Sequence, residues 1–347
     1  MDYGKVASMK IIQILPELEE GGAERHVMWL SNEFARLGHE VMVVSAGGKL
    51  VSDFDSSVIH WKLPVHLKNP VTAAFCAARI AMRAAWEGWE ILHAHSRVPV
   101  WIAWWASCLS GVPWVFTAHD RYKKNCAIYP FRHAKAAICV SNSVSGHLKG
   151  FLPENVHVIY NGLPKDYEKW QQKSNEAPRR FLFLGRLTKR KGFDVALRAL
   201  GELKDYEWEL DVVGDGTFRT TLEIISKEFG IEGRVHFHGF RNDTDEWMKK
   251  CDCLLFPSFD EGMPLVLMQA VYMGVPVVAS DIAPVRELVA SCGGDLVPPG
   301  KVGAWKERIR RILEGENVFS LFDAKKVSTV KDVVFCVEKV YAEAIEK

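Results

Sequence analysis

NGLPKDYEKWQQKSNEAPRRFLFLGRLTKRKGF, residues 161–193, holds a break and a restart. Residues 161–179 are polar, carry two prolines and show no period, so they read as a linker. RRFLFLG at 179–185 then opens a fresh apolar strand, with a cationic turn and a helix pattern behind it.

Before the break, short apolar runs alternate with helical patterns. MKIIQIL (9–15), EVMVVS (40–45), EILHAH (90–95), PWVFTA (113–118), AAICVS (136–141) and VHVIY (156–160) read as strands. Helix patterns cover 22–37, 71–87 and 99–110, and a short one starts at 143. After the break come WELDVVG (208–214), RVHFHG (234–239), DCLLFPS (252–258) and PVVAS (276–280). Helices are predicted over 192–204, 217–229, near 243–250 and over 264–273, with a last one at 329–346. Strands alternating with helices imply βαβ units, right-handed crossovers and parallel sheets. The expectation is an α/β chain of two doubly wound, Rossmann-like domains facing across a cleft. Ligands of such sheets bind at the carboxyl ends of strands.

Composition agrees with an ordinary globular chain. The 347 residues are 48% hydrophobic and 25% charged, which argues against disorder and suffices for two cores. Lys and Arg number 44 against 43 Asp and Glu, so no basic excess points to nucleic acid. The eight Cys include no C-x-x-C pair, which argues for reduced structural thiols over a zinc ribbon. Cys251 and Cys253 have strand spacing and are expected on a buried strand. No apolar run reaches membrane-spanning length, and MDYGKVAS lacks the pattern of a signal peptide. A cytoplasmic protein is expected.

Several groups carry chemistry. Gly21 and Gly22 open a helix after the first strand, where backbone approaches a ligand closely and unpaired N–H groups favour an anion. The spacing is not G-x-G-x-x-G. In GRLTKRKGF, Arg186, Lys189, Arg190 and Lys191 follow a strand end without Walker-A spacing, where they suit a diphosphate or form a solvated basic turn. In PSFDEGMPLVLMQA, Asp260 and Glu261 stand at a strand tip, suited either to sugar hydroxyls or to capping the helix begun by Gly262, Met263 and Pro264. His119 follows a strand end, and His93 and His95 end the strand before it. The D-x-D pairs at 53–55 and 243–245 follow no convincing strand, so no essential metal is expected. Twelve Trp are present; Trp101, Trp104 and Trp105 form a helical stripe that predicts a core face. A membrane-interface patch with Arg79, Arg83, Trp86 and Trp89 is the alternative.

In order and spacing, GGAERHV, HAHS, FTAHD, VIYNGL, GRLTKRKG, VVGDG and EGMPLVLMQAVYMGVPVVAS resemble the family 4 glycosyltransferases of the GT-B fold, over residues 9–346. The resemblance implies a retaining transferase that moves a sugar from a nucleotide-sugar to an acceptor hydroxyl with neither cofactor nor metal. It implies an acceptor domain from 1–165 plus 329–347 and a nucleotide-sugar domain from 166–328. By position, Arg186 and Lys191 would neutralise the donor diphosphate, with Gly21 and Gly22 against the same phosphates. Glu261 would bond hydroxyls of the transferred sugar beside Gly262, Met263 and Pro264. His119 would donate to that sugar near the reacting carbon, and Asn161 and Gly162 would border the interdomain cleft. The implied partners are a nucleotide-sugar and a glycan or glycolipid acceptor, as in lipopolysaccharide or capsule synthesis; peripheral contact at the inner face of the membrane goes with the alternative reading of the tryptophan patch.

One departure is plain: the family pairs Glu261 with a second Glu, and Gln269 stands there. A neutral hydrogen bond to the ribose is about half as strong as a charged one. A nucleotide-sugar epimerase of the same fold and a non-catalytic nucleotide-sugar-binding protein are the alternatives.

Overall fold

The computed structural model describes residues 7–164, 167–171, 179–289, 295–316 and 327–346. The chain divides into two compact units, Met1–Lys165 with Ser328–Lys347, and Asp166–Val327.

The first unit runs β1 (Lys10–Ile14), α1 (Gly22–Arg36), β2 (Glu40–Ser45), β3 (Ile59–Lys62), α2 (Pro70–Glu87) and β4 (Ile91–His95). It continues through α3 (Arg97–Ser110), β5 (Trp114–Ala118), β6 (Ala136–Cys139), α4 (Asn142–Leu148) and β7 (Val156–Val158). Its seven strands are parallel in the order β3-β2-β1-β4-β5-β6-β7. Strand order reverses between β1 and β4, so the loops leaving their carboxyl ends diverge and open a crevice.

The second unit runs β8 (Arg180–Leu184), α5 (Phe193–Gly201), β9 (Glu209–Val213), α6 (Arg219–Glu228), β10 (Val235–Gly239) and α7 (Thr244–Lys250). Then come β11 (Cys253–Phe256), α8 (Leu265–Met273), β12 (Val277–Ser280), α9 (Ala283–Val289), β13 (Asp295–Val297) and α10 (Val302–Leu313). Its parallel order is β10-β9-β8-β11-β12-β13, with the reversal between β8 and β11.

The last helix, α11 (Val330–Glu346), belongs to the first unit. Val333, Val334, Val337, Val340 and Tyr341 pack with Leu30, Phe34 and Ile11 in one core. Glu338 and His39 form a buried contact of 2.7 Å within it.

Local signals set the helix ends. Asn69 Oδ1 accepts from the Val71 amide at 2.9 Å, Pro70 occupies the first turn of α2, and left-handed Gly88 closes it. The central strands are buried on both faces, as parallel strands covered by helices must be.

Four elements lay outside the sequence reading: β3, α9, β13 and α10. IHWK and DLV are too short for a period to show. VGAWKERIRRIL, by contrast, buries Trp305, Ile309 and Ile312, a helical spacing that is visible in the sequence.

The tryptophan expectation needs correction. Trp101, Trp104 and Trp105 are all half-buried, and the buried face of α3 is Val100, Ile102, Ala103 and Ala106. The helix is apolar all round, and its small residues admit the closest approach, so they take the packed side. Cys251 and Cys253 are both buried free thiols; only Cys253 lies in the strand. Within 161–179, residues 165–166 and 172–178 lie outside the described residues. The rest is tied down: Leu163 bridges Thr329, and the Trp170 amide and indole donate to Met273 O and Cys251 O.

Candidate active-site elements

In the second unit, the loops leaving β8 and β11 meet at the strand-order reversal. The first passes exposed Arg186 and a tight turn at Lys189–Lys191, then enters α5 through left-handed Gly192. The Phe259 amide donates to Arg190 O at 2.9 Å, fastening the second loop to the first. Lys191 Nζ then donates to Glu261 Oε1 at 2.5 Å, and Arg190 Nη2 lies 3.9 Å from the other carboxylate oxygen. Glu261 is 5% exposed, so its charge is balanced inside the protein rather than by water. Arg186 has no carboxylate partner among the described residues.

Gly262, Met263 and Pro264 are buried, and Pro264 precedes α8 without a side-chain cap. The first amides of α8 are therefore open to an anion. Gln269 lies further along α8, 7% exposed; Thr244 Oγ1 of α7 donates to its Oε1 at 3.1 Å. The structure thus joins Lys191, Glu261 and the α8 start, and leaves Gln269 on the α7 side.

In the first unit, Gly21 and Gly22 begin α1, and the Glu24 carboxylate folds back to where a Cβ on Gly21 would stand. One turn on, His26 meets His119 edge to face, with ring centroids 5.2 Å apart. His119 Nε2 lies 2.9 Å from His95 Nδ1, and His95 Nε2 lies 2.6 Å from Gln13 Oε1. The Gln13 amide faces the Tyr341 hydroxyl at 3.5 Å, which lies 2.6 Å from His93 Nδ1, while His93 Nε2 reaches Thr117 Oγ1 at 2.7 Å.

This chain assigns the protons. Gln13 Oε1 accepts, so His95 Nε2 carries hydrogen and neutral His95 Nδ1 accepts from His119 Nε2–H. His119 Nδ1 is left as a lone pair. Burial, then the neighbouring His93, pulls the His119 pKa down to about 3, and burial followed by His26 does the same to His93. Burial first and neighbouring imidazoles second also push His26 and His95 well below the usual range. All four are neutral at ordinary pH. Gln13, His26, Thr117 and Tyr341 escaped the sequence reading; their only signal was polarity at positions otherwise apolar.

Asn161 and Gly162 stand against α11. A Cβ on Gly162 would meet Thr329 O at 2.5 Å, and buried Asn161 Oδ1 has no hydrogen-bond partner among the described residues. Among the described residues no cluster of three or more His, Cys, Asp or Glu is placed to hold a metal ion. Nor is any described helix long and apolar enough to cross a membrane.

Comparisons with known proteins agree with both units. A family model described as Glycosyltransferase Family 4 matches residues 20–167, and one described as Glycosyl transferases group 1 matches 164–324. An uncharacterised glycosyltransferase of Methanocaldococcus jannaschii is 26% identical over 78% of this chain and 79% of its own. The lipopolysaccharide 1,6-galactosyltransferase of Salmonella typhimurium is 26% identical over 58% of this chain and 57% of its own. The crystal structure of Anabaena HepE with UDP and glucose shares the fold, with a TM-score of 0.79 at 19% identity over 96% of this chain and 99% of that one. The chain belongs to the GT-B glycosyltransferases that pair a family 4 domain with a group 1 domain.

Proposed function

We propose that this glycosyltransferase takes its sugar from a nucleoside diphosphate sugar and transfers it, with retention and without a metal, to a glycan or glycolipid acceptor of a surface polysaccharide. The observation that carries the reading is the Lys191–Glu261 pair at the strand-order reversal of the second unit. A cation beside an uncapped helix start suits a diphosphate, and a buried carboxylate beside the cation suits the sugar's hydroxyls. The UDP and glucose bound by HepE support such a donor, and the name of the Salmonella relative supports lipopolysaccharide.

In this reading the second unit holds the donor and the first the acceptor. Departure of the diphosphate builds negative charge on the leaving oxygen and positive charge on the anomeric carbon. Arg186 and Lys191, helped by the amides of Gly262 and Met263 and those opening α8 after Pro264, meet the first charge. Gly21 and Gly22 let backbone approach the phosphates, Gln269 bonds the ribose, and Asn161 and Gly162 fix the entry to α11. Glu261 accepts from the transferred sugar's hydroxyls. His119 presents the Nδ1 lone pair, so it acts as an acceptor and a dipole rather than as a donor. The diphosphate oxygen takes the acceptor's proton on the face from which it leaves, which preserves configuration.

The free thiols Cys76, Cys139, Cys251 and Cys253 support a reducing, cytoplasmic setting. Peripheral membrane contact is assigned to the outward face of α2. Val71, Phe75, Met82 and Trp86 are exposed there beside Arg79, and Trp86 is 91% exposed. Arg79 and Arg83 lie over the Trp61 ring at 5.7 and 4.8 Å. Apolar side chains beside Arg suit an anionic bilayer surface. Trp86→Ala and Arg79→Gln are expected to reduce sedimentation with anionic vesicles; unchanged sedimentation would remove the assignment.

A thermal-shift screen of nucleotide-sugars tests the main reading, since a ligand at 100 times its dissociation constant adds ~2.7 kcal/mol. Proton NMR of the product then reads the anomeric configuration, with and without chelator. No stabilisation by any nucleotide-sugar would sink the donor assignment. Chelator-sensitive transfer would sink metal independence, and an epimerised donor without acceptor would favour the epimerase. Full transfer by both Arg186→Ala and Glu261→Ala would leave a non-catalytic role for this loop pair.

A further inference from the structure

A cavity of about 810 Å³ opens in the first unit, separate from the histidine chain. Its walls come from the loop after β1, the loop after β4 and the segment entering α2, so it stands at the β1/β4 reversal. That is where a doubly wound sheet receives a ligand, and the volume suits a sugar of one or two rings.

The lining has a definite chemistry. Trp101 and Trp105 meet edge to face at 5.7 Å, and Trp101 Nε1 donates to Ala127 O at 3.1 Å, which fixes the ring. Both rings are half-exposed, where amphipathic aromatics offer an apolar face and keep a polar edge. Lys68 and Arg97 share the lining, and neither has a carboxylate partner among the described residues. Arg97 Cζ lies 5.6 Å from the centre of the Tyr122 ring. Glu17 is the carboxylate of the lining, suited to hydroxyls. The half-exposed Trp101 and Trp105 thus turn toward the cavity and not into the core.

We propose that this cavity is the acceptor subsite and takes an anionic saccharide, its ring against Trp101 and Trp105 and its acidic group beside Lys68 and Arg97. The assignment rests on the first unit being the acceptor half. An indole face matches the C–H face of a pyranose, and two cations with no carboxylate partner among the described residues match a phosphate or carboxylate carried on it.

The test is NMR titration of the full chain, followed on the tryptophan indole signals, with Trp101→Phe and Trp105→Phe to assign them. The probes are neutral hexoses, the matching hexose phosphates and hexuronic acids, and inorganic phosphate. The anionic sugars are expected to bind about tenfold or more tightly than their neutral counterparts, a difference of about 1.4 kcal/mol. The Lys68→Gln/Arg97→Gln double variant, shown folded by circular dichroism, is expected to lose that preference. Trp105→Ala is expected to weaken every sugar. The phosphate and uronate arms identify which acid is carried. Equal binding of neutral and anionic sugars, a preference surviving the double variant, inorganic phosphate matching the sugar phosphates, or silent indole signals would each overturn the proposal. Nucleotide-sugar binding by the unaltered protein separates the two failures. If it binds while the cavity fails, only the subsite falls; if no nucleotide-sugar binds, the donor reading falls.

Discussion

Lys191 Nζ stands 2.5 Å from Glu261 Oε1, and this contact ties the β8 loop to the β11 loop where strand order reverses. Removing the ammonium leaves a nearly buried carboxylate with only the more distant Arg190, at 3.9 Å, to balance it. Lys191→Met is therefore expected to cost about 1–3 kcal/mol in urea unfolding, discounted because the lysine is partly exposed. Lys191→Met/Glu261→Gln is expected to recover most of that stability while donor affinity, read by calorimetry, stays at least about tenfold down. If the double variant regained donor affinity along with stability, the pair would serve folding rather than the diphosphate.

The buried imidazoles make stability depend on pH in a definite direction. His26, His93, His95 and His119 are all held below the unfolded value of 6.5. Below 6.5 the unfolded chain binds protons that the fold does not, so stability is complete above that pH. It is lost as pH falls toward about 3, where His93 and His119 themselves titrate. The slope is at most about 1.4 kcal/mol per pH unit for each histidine. The melting temperature is expected to fall between pH 6.5 and 4.5, above the range where most carboxylates titrate. Nitrogen-15 NMR should show the His119 proton on Nε2 throughout. A flat melting profile across that window, or an imidazolium signal at pH 6, would contradict the assigned chain.

The Gln269 departure allows a direct measurement. Its amide is 7% exposed and accepts from Thr244. Gln269→Glu keeps the shape and that acceptor while adding charge. A carboxylate bonding two ribose hydroxyls is expected to tighten nucleotide affinity about threefold to tenfold, since charged bonds are about twice as strong as neutral ones. Calorimetry that finds the affinity unchanged would show that Gln269 does not reach the ribose.

Much of this was legible in the sequence because period and punctuation carry it. The restart at Arg179 marks the second sheet, and apolar runs such as EVMVVS coincide with their strands. Gly192 marks a left-handed turn at a helix start. What escaped depends on pairings far apart in sequence. The His93–Tyr341 contact spans 248 residues and the Lys191–Glu261 contact 70, so no local pattern encodes either geometry. The half-exposed Trp101 was hidden for another reason: α3 is apolar on every side, and periodicity alone does not choose the packed face.

Gly192 separates backbone strain from a steric clash when set beside Gly274. Both are left-handed, with φ +65° and +82°. A Cβ on Gly274 would meet nothing within 4 Å among the described residues, so Gly274→Ala is expected to cost only the strain of that conformation, about 1–2 kcal/mol. On Gly192 it would stand 2.1 Å from Pro257 O, a backbone atom held by the β11 strand end. The two loops would have to part, carrying Lys191 away from Glu261. Gly192→Ala is expected to lose about 3 kcal/mol or more in urea unfolding. Donor affinity should fall with it, and Gly274→Ala should leave donor affinity intact. Equal losses of stability in the two variants, or full donor affinity in Gly192→Ala, would mean that the approach of the two loops does not set the geometry of the site.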